Sequence, residues 1–469
     1  MKHGFARTMG FLMAAVLLLA MVLPAQAATT GKSGRFSYSM KGNGTLKITA
    51  FDWDGYEDDT DIVIPQMIDG FTVTEIGSLA FSQGDMDYER IELPYAQKDA
   101  ENATLIIPNT VTSVGDKAFF NSSIGIVNIP ASVESIGVAA FCTMKLKRVT
   151  VDSANKNYAS IDGSLYCKKD RELLALGKET NKVPDGIKSL GEFSCTTLDA
   201  YMSIEKWGYD ITIEKLLPCS TIETIKEFAL FDTEIIYYGE FLEADVWGGG
   251  YNLLDFPSVR AIGDYAFAKC RNVDRTDGIS LRFSNRLEKL GKGCFYYTDG
   301  DWDYLLNECT KLTQIPEKTF STESIYGSDY ISVYLPDTIE EIRDEAFKNA
   351  KLRVLRINDT RLKFIGNGAF YNATINVWNN DDVYNNKGYR IRQDSFLSNV
   401  ESIGSEAFLE VDGIETVTIP ESCVYIGDNA FDKVSVKLKV QPGSYAERWA
   451  QDNGYTYDNG IKADTSWLN

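Results

Sequence analysis

The sequence predicts an α/β solenoid, and three observations predict it. A nine-residue segment recurs in twelve copies, and its closest copies stand 22 or 23 residues apart. Short β-branched runs ending in proline precede many of the copies. Tandem units of this size cannot each enclose a core, so they bury their apolar faces against one another.

The repeated segment is clearest in VTEIGSLAF (Val73 to Phe81), VTSVGDKAF (Val111 to Phe119) and VESIGVAAF (Val133 to Phe141). It returns at Val259 to Phe267, Leu287 to Phe295, Leu312 to Phe320, Ile339 to Phe347, Leu362 to Phe370, Val400 to Phe408 and Cys423 to Phe431. Two copies are degenerate: IKSLGEFSC (Ile187 to Cys195) and IETIKEFAL (Ile222 to Leu230). Their spacing lies in the leucine-rich-repeat range.

Each position in the unit has a physical task. The runs ending at Pro108, Pro130, Pro336 and Pro420 read as strands, because alternating β-branched residues suit a pleated ladder and proline ends it. The Val-x-x-Ile pair then packs inward across a turn. Gly follows the Ile in nine copies, which suits positive φ or close backbone approach; Lys226, Pro316 and Arg343 are the exceptions. The next residues, such as Asp116 to Phe119, read as a short helix whose Ala approaches the core and whose Phe fills it. The expectation is a leucine-rich-repeat horseshoe of about twelve repeats. One long parallel sheet lies on its concave side, short helices on its convex side, and a continuous column of Ile, Val and Phe between them.

The ends are expected to be capped. Phe36 to Pro65 reads as a hairpin, and Ser444-Tyr-Ala-Glu447 is a capping box opening a helix. Tyr445, Ala446, Trp449 and Ala450 share one face of that helix, and Asn453-Gly454 stops it. The domain plan is residues 1–27 as signal, 28–65 as extension and cap hairpin, 66–440 as solenoid with inserted loops, and 441–469 as capping helix and tail.

These motifs, from about Phe36 to Asp458, resemble the BspA-like class of bacterial leucine-rich repeats. Val151 to Lys178 looks like the hairpin insert of that class, and Gly443 to Gly454 like its closing helix. The resemblance implies a secreted or surface protein of the kind implicated in adhesion to host matrix proteins and to other bacteria. No single residue here carries that implication. The repeat frame also places cysteines. Cys195 stands for the Phe, Cys294 for the Ala and Cys423 for the first Val of their copies, while Cys270 and Cys309 lie where the class often buries a cysteine. Buried free thiols are the preferred reading, with cross-repeat disulfides as the alternative.

The first residues read as a secretory signal. Lys2 and Arg7 precede the apolar run Phe11 to Leu23, Pro24 breaks it, and Ala25-Gln26-Ala27 suits cleavage after Ala27. The run is shorter than the ~20 residues of a spanning helix. Lys2 and Arg7 leave with the signal while no acid does, so the formal charge of −20 becomes −22. That excess argues against nucleic acid and anionic lipid as partners. The only histidine, His3, lies in the signal, so Ser-His-Asp and Cys-His catalysis and histidine zinc sites are excluded from the exported chain. Carboxylate chemistry survives. No C-x-x-C occurs among the eight cysteines.

The reading is therefore a non-catalytic, Sec-exported, monomeric bacterial protein that takes an extracellular protein ligand and needs no cofactor. Two alternatives stay open: a glycan-binding or carboxylate-based glycan-active protein, and a structural surface scaffold. Clustered aromatics in three inserts are the binding candidates: Trp247 and Tyr251, Trp302 and Tyr304, Trp378 and Tyr384. Exposed Trp and Tyr anchor protein partners or stack on sugars; the competing reading is that they pack locally on the solenoid edge. Asp52, Asp54 and Asp58 around Gly55 hint at calcium, but the third acid before the Gly and the terminal Glu of an EF-hand loop are missing.

Overall fold

The structure, a computed structural model, describes residues 30–85, 100–143, 145–178, 183–195, 220–233, 252–270, 279–298, 305–322, 331–357, 361–375, 397–412 and 414–461. Their backbone is mostly strand and turn, with one α-helix among them, Tyr445–Asp452.

The units build three parallel rows of backbone hydrogen bonds. The first row is made by the runs preceding the repeated segment. Ile62–Val63, Thr104–Ile106, Ile126–Ile129 and Arg148–Val151 pair in that order. Ile331–Tyr334, Lys351–Arg356 and Thr374–Ile375 form a second stretch of it. The chain then turns a corner at the proline, where Val111 N–H bonds the Pro108 carbonyl at 3.0 Å and Ile339 N–H that of Pro336 at 3.2 Å. Beyond the corner the last two residues of Val-x-x-Ile pair with those of the next unit. Gln314–Ile315, Glu341–Ile342, Phe364–Ile365, Ser402–Ile403 and Tyr425–Ile426 form the longest such row. The single sheet expected from the sequence is thus two, because proline cannot donate and the ladder restarts past the turn.

The third row corrects the expected short helices. The segments after the Gly are turns. The residue before the Ala has positive φ, for example Lys117 at 52° and Glu345 at 54°, and a residue held there cannot continue a right-handed helix. The N–H groups reach sideways instead. Lys117 and Phe119 donate to Val138 and Ala140 at 2.8 Å, and Phe347 donates to Ala369 at 2.7 Å. A neighbouring unit therefore satisfies groups that a helix would satisfy internally.

The glycine after Ile is explained by close approach and not by positive φ. A Cβ on Gly263 would lie 2.4 Å from the Glu227 nitrogen. The residue after that position, whether or not it holds glycine, forms a side-chain ladder that the sequence reading missed. Asp116 Oδ1 accepts from Val138 N–H (2.9 Å), Asp344 Oδ1 from Asn367 N–H (2.8 Å) and Asn367 Oδ1 from Ser405 N–H (2.9 Å).

Phenylalanines stack through the units, with Phe347, Phe370, Phe408 and Phe431 at centroid spacings of 5.1, 5.1 and 5.3 Å. The column is not continuous. Residues from Leu46 to Ala175 form one core and residues from Tyr166 to Tyr455 another. The insert divides them with three antiparallel strands, Tyr158–Ile161, Ser164–Cys167 and Glu172–Ala175. Leu165 and Ala175 belong to the first core, Tyr166 and Leu173 to the second. Alternation along a strand lets one hairpin serve both.

The degenerate copies keep a phenylalanine two positions early. Phe193 and Phe228 stack at 4.8 Å, and Phe228 and Tyr265 at 5.3 Å, in a side cluster with Phe120, Phe231 and Cys142. Their usual core positions hold the buried Cys195 and Leu230.

At the N-terminal end Phe36–Met40 and Leu46–Phe51 form the expected hairpin, to which Thr30–Ser33 adds an outer strand. At the other end Ser444 Oγ accepts from Glu447 N–H (3.1 Å), and Ala446, Trp449 and Ala450 are buried. Tyr445 is only partly buried.

Candidate functional site

The outward side chains of the Val-x-x-Ile row form an extended polar surface. The position after the first apolar residue reads Lys188, Glu223, Arg260, Glu288 in successive units, and later Glu340, Lys363, Glu401. Charge sign alternates because parallel, in-register pairing sets these positions side by side. Lys188 and Glu223 meet at 2.5 Å, Arg260 and Glu288 at 3.7 Å, Glu288 and Lys311 at 2.6 Å, and Lys363 and Glu340 at 3.9 Å. The Lys188 ammonium, first through its hydrogen bond, holds the Glu223 carboxyl below its ordinary range, and Lys311 does the same to Glu288. The row ends at exposed Val424 and Tyr425. Exposed pairs of this kind add little stability, so their contribution is pattern: complementary charge sets register and partner choice.

A cleft of about 200 Å³ opens where the first Val-x-x-Ile row stops at Ser135–Ile136. Tyr158 hydroxyl accepts the Ile136 N–H at 2.8 Å in place of a further strand. Cys167, Asp170, Glu172, Glu192 and Lys226 also line it, and Lys226 pairs with Glu172 at 2.6 Å. Burial raises the Glu192 carboxyl above its ordinary range, and burial followed by the charge of Glu192 raises that of Glu227. Burial also raises the Cys167 thiol, which weakens it as a nucleophile.

The seven described cysteines form no disulfide. Six are buried and Cys167 is half-buried. Burial pushes the Cys195 thiol up to about 12 and that of Cys423 to about 11. These groups are packing atoms.

The six aromatic candidates, Trp247, Tyr251, Trp302, Tyr304, Trp378 and Tyr384, lie outside the described residues. Asp52, Asp54 and Asp58 are described. Asp52 pairs with Lys32 at 2.6 Å, and Asp52 Oδ1 accepts from Asp54 N–H at 3.0 Å. Arg35 donates to the carbonyls of Asp52, Asp54 and Gly55 at 2.9, 2.6 and 2.5 Å. The Asp52 carboxylate thus serves an ammonium, and the three carbonyls serve a guanidinium. Among the described residues no group of three His, Cys, Asp or Glu side chains is placed to hold a metal ion. No described helix is long and apolar enough to cross a membrane.

Parallel rows at this pitch, closed by stacked phenylalanines, define a leucine-rich-repeat protein. The profile of the BspA type leucine rich repeat region matches six copies, over residues 94–172, 251–377 and 380–441, more than half of the chain. The chain belongs to that family. No curated protein compared with it matches. Among solved structures it is similar to a leucine rich cell surface protein of Faecalibacterium prausnitzii, at 15% identity over 95% of this chain and 98% of that one, with a TM-score of 0.41. It is also similar to the pneumococcal vaccine antigen PcpA, at 14% identity over 93% and 100% of the two chains, with a TM-score of 0.28. A leucine-rich repeat protein of Bacteroides ovatus matches at 16% identity over 93% and 99%, with a TM-score of 0.31.

Proposed function

We propose that the chain is exported by the Sec route, loses residues 1–27, and acts outside the cell or non-covalently at its surface as a non-catalytic adhesion module for proteins. In this reading twelve units form a horseshoe-shaped solenoid over 66–440, closed by the hairpin of 28–65 and the helix of 441–469. The Val-x-x-Ile row faces the partner, and Trp247, Trp302 and Trp378 on the inserts add anchors.

The single observation carrying the proposal is the charge-alternating outward row from Lys188 to Glu288, resumed from Glu340 to Glu401. Side chains fixed at strand spacing over many units suit a large, flat protein ligand better than a small molecule. Catalysis is not part of the proposal, because the exported chain has no imidazole and burial raises its described thiols above their ordinary range.

Surface plasmon resonance of the chain from Ala28 onward against host matrix proteins, with cell-binding assays on other bacteria, tests the reading. Reversing Glu223 and Glu288 to Lys is expected to weaken binding about tenfold or more and to slow association. Unchanged binding in both that variant and the triple Trp247→Ala, Trp302→Ala, Trp378→Ala variant would reject the assigned surface.

A further inference from the structure

One stretch of the chain reverses the overall charge. Between Lys348 and Lys363 the sequence carries six cations and a single acid, Asp359, in a protein of net charge −20. Lys348 and Lys363 are paired, with Glu345 and Glu340. No side-chain hydrogen bond or ion pair joins Lys351, Arg353, Arg356 or Arg361 to another described residue. This contrasts with the Val-x-x-Ile row, where most cations are matched across units.

Arg353 and Arg356 are exposed on the strand Lys351–Arg356. Arg356 is the register partner of Tyr334, so guanidinium and phenol stand on adjacent strands. Both line a groove of about 450 Å³ that also takes in Asn307 and Asp337. Asp337 and Asn307 are exposed and, among the described residues, make no side-chain hydrogen bond. The volume lies within the ~300–1,000 Å³ of ordinary ligand sites.

We propose that this groove binds an acidic saccharide, a polymer or chain end with one carboxylate per sugar and free hydroxyls. The Arg356 fork takes the carboxylate in a bidentate pair. Asp337 accepts from sugar hydroxyls, and Asn307 both donates and accepts. The Tyr334 ring offers a face for the pyranose. Arg353 lies along the same strand for the next carboxylate. Asp337 also sets the class of anion: it repels a densely charged chain such as polyphosphate or polyglutamate, and it rewards a ligand that brings hydroxyl donors beside its charge. The groove is distinct from the Val-x-x-Ile row, so this inference does not depend on protein adhesion.

The test is calorimetric titration of the exported chain with oligogalacturonate, with its fully methyl-esterified form, and with glucuronate and sialate oligomers. Polyglutamate serves as the peptide arm. Saturable binding to at least one acidic sugar is expected, weakened about tenfold or more by esterification or by Arg356→Ala, and partly kept in Arg356→Lys. Asp337→Asn should weaken the sugar and strengthen polyglutamate. Arg356 and Asp337 are exposed, and a circular-dichroism melt of each variant checks the fold. The proposal is overturned by no binding to any acidic sugar, by equal binding of the methyl ester, by an unaffected Arg356→Ala, or by polyglutamate binding as tightly as the sugar.

Discussion

At Gly404 an added Cβ would lie 2.5 Å from the Asn367 nitrogen and from the Gly366 carbonyl carbon. Both are backbone atoms of the preceding unit and cannot swing aside. Gly404→Ala is therefore expected to cost about 2–4 kcal/mol, read as a lowered melting temperature; a parent-like melt would refute the close-approach argument. The carboxyls of Glu192 and Glu227 give a second prediction at this scale. Their folded values are raised above the ordinary 4.5, chiefly by burial. The folded chain then holds these protons more tightly than the unfolded chain. Stability from this source is full below the ordinary range and falls as pH rises through the raised values. Glu192→Gln with Glu227→Gln should raise the melting temperature at pH 7, by on the order of 1 °C or more, with the gain vanishing toward pH 4. A gain that persists at low pH would point to a cause other than ionisation. Calcium should leave the melting temperature unchanged, because Arg35 already occupies the carbonyls beside Asp52 and Asp54.

Among elements, the hairpin insert has the most to explain. It ends one Val-x-x-Ile row through the Tyr158 hydroxyl and begins the next, where Glu172–Ala175 pairs with Ser189–Leu190. Tyr158→Phe leaves the Ile136 N–H without its acceptor and should cost about 1–3 kcal/mol, with faster amide exchange at Ile136 as its specific sign. The terminal helix repeats the device in weaker form, with Ile426 N–H 3.3 Å from the Tyr445 hydroxyl. The insert was legible as a hairpin from Val151 to Lys178. Its division of the core was not, because alternation along one strand does not say which two neighbours its faces meet. The degenerate copies are the converse case. Phe193 and Phe228 read as failures of the pattern, yet each sits in the positive-φ position, at 53° and 52°, and builds the side cluster. A nine-residue template records only that its last position is not Phe.

For the whole molecule, two cores that meet at one hairpin and at the side cluster of Phe120, Cys142, Phe193 and Phe228 predict two unfolding units. Val127→Ala in the first core should lower one calorimetric transition and leave the other in place, whereas Leu352→Ala should do the reverse. A single transition shifted equally by both would show that the hairpin and the side cluster couple them fully. The repeat, its pitch, the family, the net acidic charge and the single histidine were legible in the sequence, since these are counts and spacings along the chain. Folding in three dimensions was needed to show that the ladder is double, that the segments after the glycine are turns whose N–H groups bond the neighbouring unit, that the glycine answers to a backbone one unit away, and that Arg356 shares a groove with Tyr334. Each of these depends on which atoms of one unit lie against the next. Periodicity reports that units stack, and the distances across the stack exist only once the chain has folded.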